Sequence, residues 1–289
     1  MTSERVTAPG LGGGRHPIGS VLMHLGLIIA ALAFVFPFIW MVLTSLKTLS
    51  QLLNAPLSFW PDPWTIENYV KSWNAVPFPL AYWNSFYIAA LTVVGTLITS
   101  AMAAYGFARI PFRGGKVLFV VFLATQMIPK QVTLIPTYVV MSSLGWVDSH
   151  LAIIVPGMLV NPFAVFLMRQ FILSLPIELE EAAMIDGAGR VRTFFSVILP
   201  NLRSGMGALA IIVALDAWNN FLLPLVLFNS SNLFTVPLLL SQFQGQFAGV
   251  NYGLIMAASA VSTIPMLIVF IIAQRHILDS MASSGLGGK

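Results

Sequence analysis

Six charged residues, Glu178, Glu180, Glu181, Asp186, Arg190 and Arg192, crowd into fifteen consecutive positions of a chain that is only 8% charged. Acids and bases this close could move a proton, hold a metal or meet the charges of a partner. The first two need residues that are missing here. His16, His24, His150 and His276 stand alone, with no HExxH pair and no carboxylate at helical spacing to complete a metal site. Zero cysteines exclude a disulfide framework and a thiolate metal site. Neither a GxSxG elbow nor a GxxxxGK[ST] phosphate loop is present. The sequence thus predicts no enzyme, no metal and no cofactor. The cluster is read as a docking surface. A chain of this kind that moves a solute uphill takes its energy from a partner's nucleotide or from an ion gradient.

The stretch that carries the cluster, Pro176 to Pro200, has the pattern helix, turn, helix. Ser174 is suited to cap the first helix and Pro176 to its opening turn, with the three glutamates near the positive end of the dipole. Gly187 and Gly189 offer the positive φ that ends a helix. The second helix then places Val191, Phe194, Phe195, Ile198 and Leu199 on one apolar face, and Pro200 closes it.

The surroundings of this pair are membrane. Of 289 residues, 57% are hydrophobic, whereas a soluble globule carries about 25% charged residues. The net charge of +4 does not argue for nucleic acid, because the basic residues are spread over loops. Spanning a bilayer takes about 20 apolar residues. Six stretches meet this: Gly19 to Ser45, Tyr82 to Phe107, Val117 to Met141, Leu151 to Phe171, Ser204 to Phe228 and Tyr252 to Ala273. The fold expected is an all-α membrane protein with six spans, all helical because lipid satisfies no open backbone. The first run is too long for a signal-peptide core. Residues 1–18 are read as a disordered tail, 19–273 as the membrane domain with its loop at 174–200, and 274–289 as a C-terminal tail.

Charge sets the orientation. Arg5, Arg15, Arg109, Arg113, Lys116, Arg169, Arg190, Arg192, Arg203, Arg275 and Lys289 fall on one side, and only Lys47, Lys71 and Lys130 on the other. By the positive-inside rule both termini and the charged cluster are expected in the cytoplasm. The outer side then has two longer loops. The one from Leu46 to Ala81 is rich in Trp and Pro, as an interfacial aromatic belt or a partner-binding surface would be. The one from Asn229 to Asn251 is polar and long for a connector, and is expected to reach toward a ligand or partner. Pro37, Pro129, Pro136, Pro156, Pro162, Pro224 and Pro265 lie in or near apolar runs, where proline frees carbonyls and kinks helices. Polar groups stand beside several of these breaks: Gln126, Lys130, Gln131, Asn161, Asp216, Trp218, Asn219 and Asn220. They serve either as interhelical glue or as contacts for a hydroxyl-rich solute, with amides bonding hydroxyls and Trp stacking on a sugar face.

The cluster resembles the cytoplasmic EAA loop of ABC importer permeases. The residues that carry the resemblance are Glu181-Ala182-Ala183, Asp186-Gly187 and Ile198-Leu199-Pro200. Further stretches resemble the carbohydrate-uptake, maltose-type branch: Trp64 to Tyr69, Ala104 to Arg109, Ile128-Pro129 through Ile135-Pro136, and Trp218-Asn219. In that branch an acid commonly follows Trp-Asn; here it is Asn220, with Asp216 nearby. The resemblance implies a multi-pass permease subunit in the cytoplasmic membrane of a prokaryote, importing a sugar or related polyol. It implies a second homologous permease, two cytoplasmic ATPase subunits and an extracytoplasmic solute-binding protein. Glu181, Ala182, Ala183, Asp186, Gly187, Phe194 and Phe195 would then couple to the ATPase, and Gln131, Asn161, Trp218 and Asn219 would line the solute path. The rival reading is an ion-driven secondary transporter or channel built on Asp216 and Lys130.

Overall fold

The computed structural model describes residues 17–159, 161–247 and 251–285. The tail read at 1–18 therefore lies almost wholly outside the described residues, as do 286–289 and part of the second outer loop. Among the described residues every regular element is helical. In chain order they are α1 (Pro17–Ser45), α2 (Leu49–Asn54), α3 (Glu67–Ala75), α4 (Phe78–Arg109), α5 (Gly115–Ala124), α6 (Leu134–Ser143), α7 (Leu151–Met158) and α8 (Pro162–Ser174). There follow α9 (Glu178–Ile185), α10 (Arg190–Thr193), α11 (Leu199–Asn201), α12 (Arg203–Trp218), α13 (Leu222–Leu227), α14 (Val236–Phe247) and α15 (Tyr252–Gly285).

Among the described residues five helical stretches are long and apolar enough to cross a membrane: Ser20–Ser45, Phe78–Arg109, Leu151–Ser174, Arg203–Leu227 and Tyr252–Ile272. The expected span from Val117 to Met141 is instead two shorter apolar pieces, Gly115–Met127 and Leu134–Ser143. Pro129 cannot donate its backbone nitrogen, and Lys130 beside it seeks a charged partner, so the helix stops at the break. Two of the five are themselves interrupted, one between α7 and α8 and the other between α12 and α13. At 34 residues α15 is about 51 Å long. Residues 274–285, read as the start of the C-terminal tail, continue the last helix.

The hub is α4, which packs against α7, α8, α12 and α14. Small residues make this possible. Ala101, Ala104 and Ala164 are fully buried, and a Cβ on Gly95 would stand 2.4 Å from the Met158 side chain. Such close backbone approach is how helices associate where lipid is as apolar as the side chains. The first helix, α1, packs on α15 and otherwise presents apolar side chains outward.

Both longer loops are folded where they are described. In the first, Asn68 is buried and donates to the carbonyls of Ser45 and Lys47 at 2.8 Å each, while the Tyr69 and Ser45 hydroxyls meet at 2.6 Å. The Trp64–Tyr69 stretch thus fastens α3 to the end of α1. Lys47 is fully buried, donates to the Ser58 carbonyl and lies 4.7 Å over the Trp40 ring; burial lowers its pKa. The second loop is no free connector. It forms α14, which buries Val236, Leu238, Leu239 and Phe243 and leaves Gln242 exposed.

A clasp joins the turn before α7 to the chain after α13. Asp148, at φ 58°, accepts from the Ser230 hydroxyl (2.5 Å) and from the backbone N–H groups of Ser230 and Asn229 (2.9 and 2.8 Å). These donors hold its carboxyl below the usual carboxylate range, the Ser230 hydroxyl contributing most. A carboxyl depressed in the folded state stabilises above its unfolded pKa and loses that contribution as pH falls through the folded value. Asp148→Asn keeps a residue tolerant of left-handed backbone and removes the charge. The expected result is a lower thermal midpoint than the parent at pH 7, with the gap closing below about pH 4. Parallel melts from pH 3 to 7 check it.

Candidate functional site

The charged cluster does fold as a helix pair. Its first member, α9, starts with Glu178, Glu180 and Glu181 in the opening turn, where acids complement the dipole. Ser174 does not cap it, contrary to the pattern. That residue ends α8, and its hydroxyl turns back to the Phe171 carbonyl at 2.7 Å. After Asp186, Gly187 takes φ 83°. The N–H of Ala188 then reaches the Ala183 carbonyl (2.9 Å) and that of Gly187 the Met184 carbonyl (3.0 Å), the Schellman closure of a helix. The second member is α10, a π-turn from Phe194 to Ile198, and α11.

The three glutamates have different fates. Glu178 and Glu181 are exposed, whereas Glu180 is 2% exposed. Its Oε1 lies 2.6 Å from Arg109 Nε, and Tyr105 donates its hydroxyl to Oε2 at 3.2 Å. Arg109, the last residue of α4, also donates to the carbonyls of Ile172 (2.9 Å) and Leu175 (2.7 Å) at the end of α8. One guanidinium therefore ties α4, α8 and α9 together. The sequence reading missed this role for Glu180, Arg109 and Tyr105. An arginine ending a long apolar helix was the available signal.

Phe194 and Phe195 meet edge-on, their rings 5.0 Å apart, but differ in burial. The π-turn sends Phe194 into the core with Ile198 and Leu202, where its ring lies 5.3 Å from that of Tyr105. It is not free to anchor a partner, which corrects the expectation for the pair. Phe195 is 52% exposed, and with Val191 (72%), Ile185 (87%) and Met184 (47%) it forms an apolar tip. Around that tip Glu181, Ala182, Asp186 and Gly187 are exposed and Ala183 is half-buried.

The helix breaks form a second polar locus. Lys130 donates to both oxygens of Asp216, at 2.9 and 3.1 Å, which joins the α5–α6 break to α12. Gln126 donates to the Asn161 amide oxygen at 3.4 Å, which joins α5 to the α7–α8 break. That same oxygen caps α8 through the Ala164 N–H (3.1 Å). The carbonyls freed at the end of α7 are taken by Thr96 (to Gly157, 2.7 Å) and Thr99 (to Met158, 2.9 Å). Gln131 and Asn219 are exposed and Asn161 is half-buried. Trp218 is elsewhere. It is buried against Phe78 and the Val236–Phe243 face of α14, with its ring 6.1 Å from Tyr82, so its indole cannot stack on a solute among the amides.

No group of three or more acids and histidines able to hold a metal occurs among the described residues. The helix pair, the C-terminal part of α4 and the breaks fall within residues 95–283, which match the family described as binding-protein-dependent transport system inner membrane component. The chain belongs to this family. As an inner membrane component of such a system it is a permease subunit, a transport element and not an enzyme.

Relatives agree over nearly the full length. The chain is 34% identical over 278 residues to the arabinooligosaccharides transport system permease protein AraQ of Halalkalibacterium halodurans, covering 94% of this chain and 98% of that one. It is 32% identical over 270 residues to the lactose transport system permease protein LacG of Rhizobium radiobacter, covering 93% and 97%. The fold matches a chain of a bacterial ABC transporter involved in the import of alginate, with a TM-score of 0.78 at 23% identity over 89% of this inner membrane component and 96% of that chain.

Proposed function

We propose that this inner membrane component carries a sugar or related polyol inward across the cytoplasmic membrane of a prokaryote, driven by ATPase subunits that grip the pair Glu178–Asn201. The single observation that carries this reading is the geometry of the pair. It is braced from behind by a buried ion pair, while its tip leaves Ile185, Val191 and Phe195 exposed among the described residues. An amphipathic helix element of that form suits a groove on a partner. The chain would cross the membrane six times, counting α5 and α6 together as the third passage, and the excess of Arg and Lys would hold both termini in the cytoplasm. A second, homologous permease would cover the face that carries the breaks. An extracytoplasmic binding protein would meet the outer surface built from α3 and α14. Gln131, Asn161 and Asn219 would line the solute path, and Trp218 would support it from behind.

The ion-driven alternative gains nothing from the geometry. Lys130 and Asp216, the groups it would use, already neutralise one another.

Glu181 and Val191 test the reading because both are exposed, and neither touches the brace. Glu181→Lys and Val191→Asp are expected to leave the chain in the membrane at parental levels. Each should lower co-purifying ATPase and ATP-dependent uptake of labelled lactose or arabinooligosaccharide about tenfold or more. Retention of the ATPase and uptake in both variants would refute the docking role.

A further inference from the structure

Lys130, at the break between the two shorter apolar helices of the proposed third passage, and Asp216, inside a stretch apolar enough to cross a membrane, have side chains 79% and 67% exposed on this chain. Lipid does not accommodate exposed charges at that depth; residues of this kind face a water-filled cavity or a protein partner. The groups nearby in the breaks, Gln126, Gln131, Asn161 and Asn219, are all uncharged amides, able to donate and accept but not to select charge. Selection by charge is therefore left to the pair. The ammonium presents donors only, and the carboxylate acceptors only. At 2.9 and 3.1 Å they cancel almost completely at a distance while each keeps free hydrogen-bonding capacity close by.

We propose that the Lys130–Asp216 pair is the charge filter of the solute path, a contact for uncharged, hydroxyl-rich solutes. The ammonium donates to one hydroxyl oxygen and the carboxylate accepts from a neighbouring hydroxyl. Because the pair has no net charge, neither an anionic nor a cationic solute is favoured at this point. Freed of Asp216, Lys130 would draw in anions; freed of Lys130, Asp216 would draw in cations. This rests on the reading of the amide-lined breaks as the path.

The chain has no cysteine, so a single reporter thiol can be placed without other changes. Asn219 is three positions beyond Asp216 at the end of α12 and is exposed, within reach of the pair's field. In membrane vesicles holding the assembled importer, Asn219→Cys is labelled with an anionic and with a cationic methanethiosulfonate reagent, each rate normalised to a free thiol. The expected ratio is near one with the pair intact. Asp216→Asn raises the anionic-to-cationic ratio about tenfold, and Lys130→Gln lowers it by about as much. The double variant Asp216→Asn with Lys130→Gln restores the parental ratio, which separates charge from misfolding. A reactive thiol whose ratio is the same in all four backgrounds overturns the filter and leaves the path in place. A thiol that reacts with neither reagent, in a complex that still carries its ATPase, overturns the path reading and the filter with it.

Discussion

Replacing Glu180 with alanine is expected to cost the solubilised complex on the order of 10 °C of thermal stability. The carboxylate is fully buried, and the guanidinium it meets at 2.6 Å is almost as well shielded. Removing one member of a buried pair leaves the other charge without compensation, at about 3–5 kcal/mol. Arg109 would keep its bonds to the Ile172 and Leu175 carbonyls but lose the carboxylate it pairs with. Tyr105 would lose the acceptor of its hydroxyl. Pairing Glu180→Leu with Arg109→Met should recover much of the stability, because the buried charge is gone. It should not recover transport. The three elements the guanidinium joins would then touch only through apolar contacts, and a push on α9 would no longer be carried stiffly into α4 and α8. Arg109→Lys is expected to behave like a loss as well, since an ammonium cannot reach two carbonyls and a carboxylate from the same fork. Thermal melts and ATP-dependent uptake, measured on the same preparations, check all three variants. Full uptake in the apolar double variant would remove the ion pair from the transmission.

That pair also marks the limit of what the sequence discloses. The apolar runs of α1, α4 and α15 can be read directly, because twenty or more lipid-compatible residues in a row admit little else. The break at Pro129 is harder, since a window of that length averages Pro129 and Lys130 into the leucines and valines on either side. The docking pair is legible in outline because charge is scarce everywhere else. Which of its acids turns inward is not. Glu178, Glu180 and Glu181 are equivalent to a helix dipole, and only the presence of Arg109, at the end of a distant helix, singles out Glu180. A similar limit applies to the phenylalanines. Regular α-helical spacing puts Phe194 and Phe195 on one face; in the π-turn the Phe194 ring is buried on Tyr105, while Phe195, edge-on to it at 5.0 Å, stays half exposed. Trp218 beside Asn219 illustrates it again: adjacent residues at a helix end point apart, one into the α4–α14 core and the other outward.

Gly187→Val is expected to lower ATP-dependent uptake at least tenfold while leaving the chain in the membrane. At φ 83° the residue occupies left-handed backbone, which costs an L-amino acid about 1–2 kcal/mol and a β-branched one more. Space is not the obstacle, because a Cβ built there meets nothing within 4 Å. The effect is therefore one of backbone direction alone. To relieve it the chain must abandon the bonds from Ala188 to Ala183 and from Gly187 to Met184, and those bonds fix the angle at which α10 leaves α9. Ile185 lies before the turn and Val191 and Phe195 after it, so a changed angle splits the apolar tip that a partner would grip. Gly187→Asn supplies the control. Asparagine adds more bulk than alanine yet tolerates left-handed backbone, and it should keep most of the uptake. Uptake and ATP hydrolysis by the reconstituted complex, measured for both variants, decide the matter. If valine keeps uptake as asparagine does, or asparagine loses it as valine does, the left-handed turn geometry does not govern coupling.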